Sequence, residues 1–167
     1  MTNQKVTDLL RNGNEAITLT TGVKVKMTPA PSLLIEQAVS RIKFPDVPVQ
    51  TLEDGRKVEN PTHPDYLKAR LEAIRKQSQV AIDVMIAFVD LVDEIPPDAQ
   101  WVKRIRYLER LGHIDLQGYD LTDELDREFV YKKYIAFGSD DLQALSQVNG
   151  ISEEDRRLAR DTFRGPA

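Results

Sequence analysis

The chain has 167 residues, 41% apolar and 30% charged, which fits a soluble globular protein and excludes the low hydrophobicity of a disordered one. A net charge of −4, from 23 basic and 27 acidic residues, offers no bulk attraction to nucleic acid. With no cysteine in the chain, disulfides, thiolate chemistry and Cys-based zinc sites are excluded.

The expected fold is mainly α with a small β part (α+β), in a single domain over 1–167 with one long central helix. Met1 to Asn14 is polar, with at most one turn around Val6, Leu9 and Leu10, and has no apolar h-region of a signal peptide. Residues 15–28 read as a β-hairpin. Ile17 and Leu19 alternate with threonines, Thr21-Gly22 supplies the turn, and Val23, Val25 and Met27 alternate with lysines. Strands this short need something to pack on. Leu33 to Ile42, with Leu34, Ala38 and Ile42 on one side and Ile35 and Val39 beside them, suits a three-turn amphipathic helix.

Residues 44–63 form a proline-bounded arm. Within it, Val49–Leu52 and Lys57–Glu59 flank Asp54-Gly55, which favours a type I′ hairpin turn; an ordered irregular excursion is the alternative. Either form buries little and suits an arm that reaches a neighbour.

A central helix is expected over 64–95, opened by Pro64 and closed by Pro96-Pro97. Leu67, Leu71, Ile74, Ala81, Met85, Phe88 and Val92 follow helical spacing and mark its core face. Ile82, Ile86 and Val89 make a second apolar row on the flank, while Asp83 and Asp90 lie on the far side. A helix apolar on two flanks is either central in its own domain or covered by a partner, so Ile82, Ile86 and Val89 are the candidate partner-binding residues. The run Val80–Val92 is too short, and carries two aspartates, for a membrane span.

The rest, 97–164, reads as helical. Pro96-Pro97-Asp98 starts a helix with Trp101, Ile105, Leu108 and Leu111 on one face, ended by Gly112. Thr122 caps a helix through Tyr134 and Phe137, with Phe129, Val130 and Tyr134 inward and Gly138 at its end. Ser139 caps a shorter one with Leu142, Leu145 and Val148, and Ser152-Glu153-Glu154-Asp155 resembles a capping box for a last helix with Leu158 and Phe163.

Chemistry-bearing patterns are sparse. The two histidines, His63 in a polar loop and His113 after a helix-ending glycine, read as surface or cap residues. Asp115, Asp120, Asp123, Glu124 and Asp126 lack the register of a calcium loop, and their position favours a helix start through the macrodipole. Lys103, Arg104, Arg106 and Arg110, interleaved with Trp101 and Tyr107, read as the wet face of a helix rather than a nucleic-acid surface. A helix-turn-helix around Gly150 would lead with Glu153, Glu154 and Asp155, against phosphates. Neither a Gly-x-Ser-x-Gly elbow nor a phosphate-cradling glycine loop occurs. The expectation is a non-enzymatic protein with no cofactor and no metal.

The order of parts resembles a known family. A hairpin (Thr18-Leu19-Thr20-Thr21-Gly22-Val23-Lys24-Val25) leads to the helix from Leu33 to Ile42. The arm ends in Glu59-Asn60-Pro61-Thr62-His63-Pro64-Asp65-Tyr66. Tyr131-Lys132-Lys133-Tyr134-Ile135-Ala136-Phe137-Gly138 and the Ser152-Glu153-Glu154-Asp155 segment follow. This arrangement is similar to the tail assembly chaperones of tailed bacteriophages. The resemblance implies a helical protein of the host cytoplasm that holds the tape measure protein while tail tube subunits polymerise, with no catalytic residues. It also implies, often, a longer product made by ribosomal frameshifting. A structural virion component, such as a head–tail connector, minor tail or capsid subunit, is the alternative, and a homo-oligomer suits both. A DNA-binding regulator is a third class, distinguished by salt-dependent DNA affinity.

Overall fold

The computed structural model describes residues 16–97 and 99–150. The turn around Val6 and the helix from Ser152 fall outside them. In chain order the elements are β1 (Ile17–Thr18), β2 (Lys24–Met27), α1 (Ser32–Ser40), β3 (Val49–Thr51), β4 (Lys57–Glu59), α2 (Pro64–Ala87), β5 (Val89–Leu91), α3 (Ala99–Arg110), α4 (Glu124–Tyr131), a π-helical turn (Lys132–Ala136) and α5 (Ser139–Val148). The fold is mainly α with a small antiparallel β part. These residues group into two compact units: residues 16–30 with 85–150, and Pro31–Val84.

The first unit is built on a three-stranded antiparallel sheet of order β1-β2-β5. The expected hairpin forms, with Ile17 opposite Val25 and Thr18 opposite Lys24. The support it needs comes from β5, where Met27 faces Val89 and Val25 faces Leu91. This corrects the expected helix over 64–95: α2 ends at Ala87, and Val89–Leu91 is a strand. Val89, Asp90 and Leu91 fit the period of a strand as well as that of a helix. Apolar cross-strand partners on β2 decide between the two.

Val25, Met27, Met85, Ile86, Val89, Ile105, Val130 and Leu145 are buried together with Trp101 and Tyr131 in this unit. Each fully buried side chain of this size contributes about 1.5–3 kcal/mol. The Trp101 and Tyr131 rings meet edge to face at 5.3 Å, and Trp101 Nε1 donates to the Pro96 carbonyl at 3.3 Å.

Two polar contacts tie the sheet to the C-terminal helices. The buried Asp141 carboxylate accepts from the Thr20 amide at 3.0 Å, the Thr20 hydroxyl at 2.6 Å and the Gly138 amide at 2.8 Å. Gly138 is required by this approach, because a Cβ there would lie 2.6 Å from Thr20 Oγ1. Lys132, also buried, donates to the Val89 carbonyl at 2.8 Å and pairs with Glu128 at 3.3 Å. It stands where α4 widens into the π-helical turn, so the helix expected to run to Phe137 is regular only to Tyr131.

The second unit contains α1, the β3–β4 hairpin and most of α2. The 44–63 arm is a hairpin, with Val49 opposite Glu59 and Thr51 opposite Lys57. Its turn is not the expected type I′, which needs positive φ at both central residues. Asp54 keeps a negative φ and Gly55 alone takes +83°. The Leu52 amide donates to the Arg56 carbonyl and the Gly55 amide to Leu52, a type I turn closed by a glycine bulge.

Candidate partner-binding surface

Ile82, Ile86 and Val89 are not an exposed docking row. Ile86 is 1% and Val89 0% exposed, and Ile82 is half-buried. The three are not even on one element, since Val89 belongs to β5. Helical spacing gives the same score to a row that faces a partner and one that faces the chain's own sheet. Here Ile86 and Val89 are sealed within the first unit. Val92, assigned to the core face, is exposed instead.

Apolar surface is left open in the other unit. Leu33, Leu34, Phe44, Val49, Val58 and Leu67 are all exposed, and Ala73 is its one fully buried apolar side chain among the described residues. Why each lies open follows from its element. α1 has the alternation of an amphipathic helix, yet none of its residues is buried; Ile35, Ala38 and Val39 reach only half-burial. All six residues of β3 and β4 are exposed, so both faces of that hairpin meet solvent. A two-stranded hairpin without a packed face is marginal by itself, and its open edges are templates for another chain.

The arm is nevertheless anchored at its base. The Asn60 amide donates to the Pro48 carbonyl at 2.7 Å and its side chain to Gln50 at 2.9 Å. His63 then accepts the Asp65 amide through Nδ1 at 3.2 Å, which makes it the cap of α2, as its loop position suggested.

After α1 the chain runs along the middle of α2, where Gln77 Nε2 donates to the Ile42 carbonyl at 3.1 Å. Between them lies an open cleft of about 450 Å³ with Ala69 and Ala73 on α2, Phe44 and Pro45 on the connector, and Arg41, Lys43, Glu72 and Lys76 also lining it. Glu72 pairs with Lys76 at 3.0 Å, and that hydrogen-bonded ammonium holds its carboxyl below the ordinary value of 4.5. Small residues beside a half-exposed phenylalanine, ringed by charges of both signs, suit the apolar side of a partner segment. Nothing in this lining is arranged as a nucleophile with a base.

The remaining candidates have local employment. Asp123, not Thr122, caps α4, accepting from the Leu125 and Asp126 amides. Asp120 accepts from the Thr122 hydroxyl at 2.7 Å and amide at 2.9 Å, which lowers its carboxyl below the ordinary 3.8. Asp126 accepts the Asp120 amide and Asp115 the Gln117 amide. These aspartates build a turn and a helix start. Trp101 and Ile105 are buried as expected, whereas Leu108 and Leu111 on the same stripe are exposed. The α3 helix ends at Gly112 with the His113 amide donating to Leu108 and the Gly112 amide to Glu109, so His113 is a C-terminal cap residue.

Compared with models of protein families, with curated proteins and with solved structures, the chain matches none. Among the described residues no helix is long and apolar enough to cross a membrane.

Proposed function

We propose that this protein is a non-catalytic binding protein of phage tail assembly, a chaperone that covers an apolar helix of the tape measure protein until tail tube subunits replace it. One observation carries the binding reading: the unit Pro31–Val84 exposes six large apolar side chains and fully buries only Ala73 among its described apolar residues. Monomers seldom leave that much apolar surface without a use for it. The tape measure protein as partner, and the host cytoplasm as the place of work, come from the family resemblance of the hairpin, the arm and the Tyr131–Gly138 segment.

Mechanistically this is reversible burial. A partner helix would lay apolar side chains against Leu33, Leu34 and Phe44, and the charges of Arg41, Lys43, Glu72 and Lys76 would stay at the rim, wet and cheap to separate. Co-expression of Leu34→Asp/Phe44→Asp with a tape-measure fragment tests this. Co-purification should fall at least about tenfold while the circular dichroism spectrum is unchanged; undiminished capture would remove the surface from the proposal.

The hairpin favours a second reading. A two-stranded arm wet on both faces also suits a permanent virion subunit that adds a strand to its neighbour. Mass spectrometry of purified particles separates the two, since a chaperone is missing from finished virions and a structural subunit is present.

A further inference from the structure

Two surfaces of the first unit complement each other. On α3, Arg104, Tyr107, Leu108 and Leu111 fall within about 100° of the helix circumference. All four are exposed. A shallow depression of about 430 Å³, walled by Lys103, Arg104, Tyr107 and Leu108, is lined almost wholly by apolar atoms, the two bases contributing their aliphatic stems. Arg110 stacks 5.1 Å over the Tyr107 ring, so the apolar floor has cations on its border. At the start of α4, Leu125 is 77% exposed, more than any other large apolar side chain described. Asp123, Glu124 and Asp126 surround it in sequence. An exposed leucine flanked in sequence by carboxylates is the counterpart of an apolar depression bordered by cations.

Within one chain, α3 turns a different face toward the segment that leads into α4. Arg106 of α3 acts on the turn before α4, where its charge helps lower Asp120. It projects about 160° around α3 from Arg104, on the side away from the depression.

We infer that the occupant of the α3 depression is Leu125 of a second copy of this chain, with Glu124 of that copy against Lys103 and Arg104. Because the two surfaces differ, the contact is heterologous, and it repeats head to tail. This goes beyond the binding reading above and shares no residue with it. The patch is small, so association is weak, and it weakens further as salt rises.

Sedimentation equilibrium of the full chain at about 50 mM and 500 mM salt measures this directly. Leu108→Asp and Leu125→Asp should each weaken self-association about tenfold or more. Mixed together, each variant still carries one intact surface, so the mixture should form a 1:1 dimer that does not grow. Arg104→Glu should likewise weaken association and Glu124→Arg in the same chain restore it. A wild-type chain that stays monomeric at about 1 mM in low salt overturns the inference. So do single variants that associate like wild type, or a mixture that remains monomeric.

Discussion

The two compact units spend similar sequence differently. Residues 16–30 with 85–150 seal apolar side chains from strands and helices alike, while Tyr107, Leu108, Leu111 and Leu125 stay open, and they tie down two buried polar side chains: Asp141 with three donors, Lys132 with a carbonyl and a carboxylate. Pro31–Val84 has weaker amphipathic periodicity in its helices; α1 buries nothing completely and the hairpin is wet on both faces. The contrast shows that an apolar stripe states only that something will cover it. What covers it depends on whether a sheet or helix of the same chain arrives there. For Ile86 and Val89 one does; for Leu34 and Phe44 none is complete.

The largest expected effect lies in the cored unit. Ile86→Asp places a charge where 1% of the residue is exposed, and should cost more than about 4 kcal/mol, a large share of the stability of an ordinary domain. Chemical denaturation of the full chain measures it. An Ile86→Asp chain as stable as wild type would mean that the row is not sealed.

Next comes the Asp141 clamp. Asp141→Ala removes a carboxylate from three hydrogen bonds and should cost about 3 kcal/mol, read as a lower denaturation midpoint. Gly138→Ala acts on the same contact by pressing a Cβ toward Thr20 Oγ1, so its effect should be less than additive with that of Asp141→Ala.

By contrast, Leu34→Asp in the open unit should change stability by no more than about 0.5 kcal/mol, because the side chain it replaces is exposed. A loss of several kcal/mol there would show that the unit depends on Leu34 for its own packing, and the comparison would fail.

These outcomes also mark what was readable from the residues. Both hairpins were, because Thr21-Gly22 and Asp54-Gly55 leave the chain few ways to turn, although the type I turn with a glycine bulge was not distinguished from type I′. The stop at Gly112 and the burial of Trp101 and Ile105 were readable from local chemistry and spacing. The β5 strand was not. Val89 to Leu91 continues an unbroken helical pattern, and only β2, more than sixty residues earlier, draws it into a sheet. The spacing of Ile82, Ile86 and Val89 therefore does not tell a docking face from a row that the chain seals itself. The Asp141–Thr20 contact spans 121 residues and joins two common residue types, so no local pattern announces it. The exposed residues of Pro31–Val84 were visible as apolar positions, but their openness depends on what fails to pack on them.

The smallest expected effect separates the units by the character of their electrostatics. Glu72 in the open unit and Asp120 in the cored one both have carboxyls held below their ordinary values, 4.5 and 3.8. Each therefore contributes stability that is present above those ordinary values and lost as pH falls through the depressed folded value. The causes differ. Glu72 depends first on its hydrogen bond to the Lys76 ammonium and then on that charge, with Lys68 and Arg75 adding to it. Asp120 depends first on the Thr122 hydroxyl and then on the Thr122 amide, both neutral donors in a turn of fixed geometry. Raising salt from about 20 mM to about 500 mM shortens the screening length severalfold, so Glu72 should titrate closer to 4.5 while Asp120 barely moves. Thr122→Ala should do the converse, raising Asp120 at either salt and leaving Glu72 where it was. Carboxyl carbon shifts in an NMR pH titration resolve both groups. Equal salt sensitivity at the two sites would mean that the Asp120 turn is no more built than the exposed pair on α2.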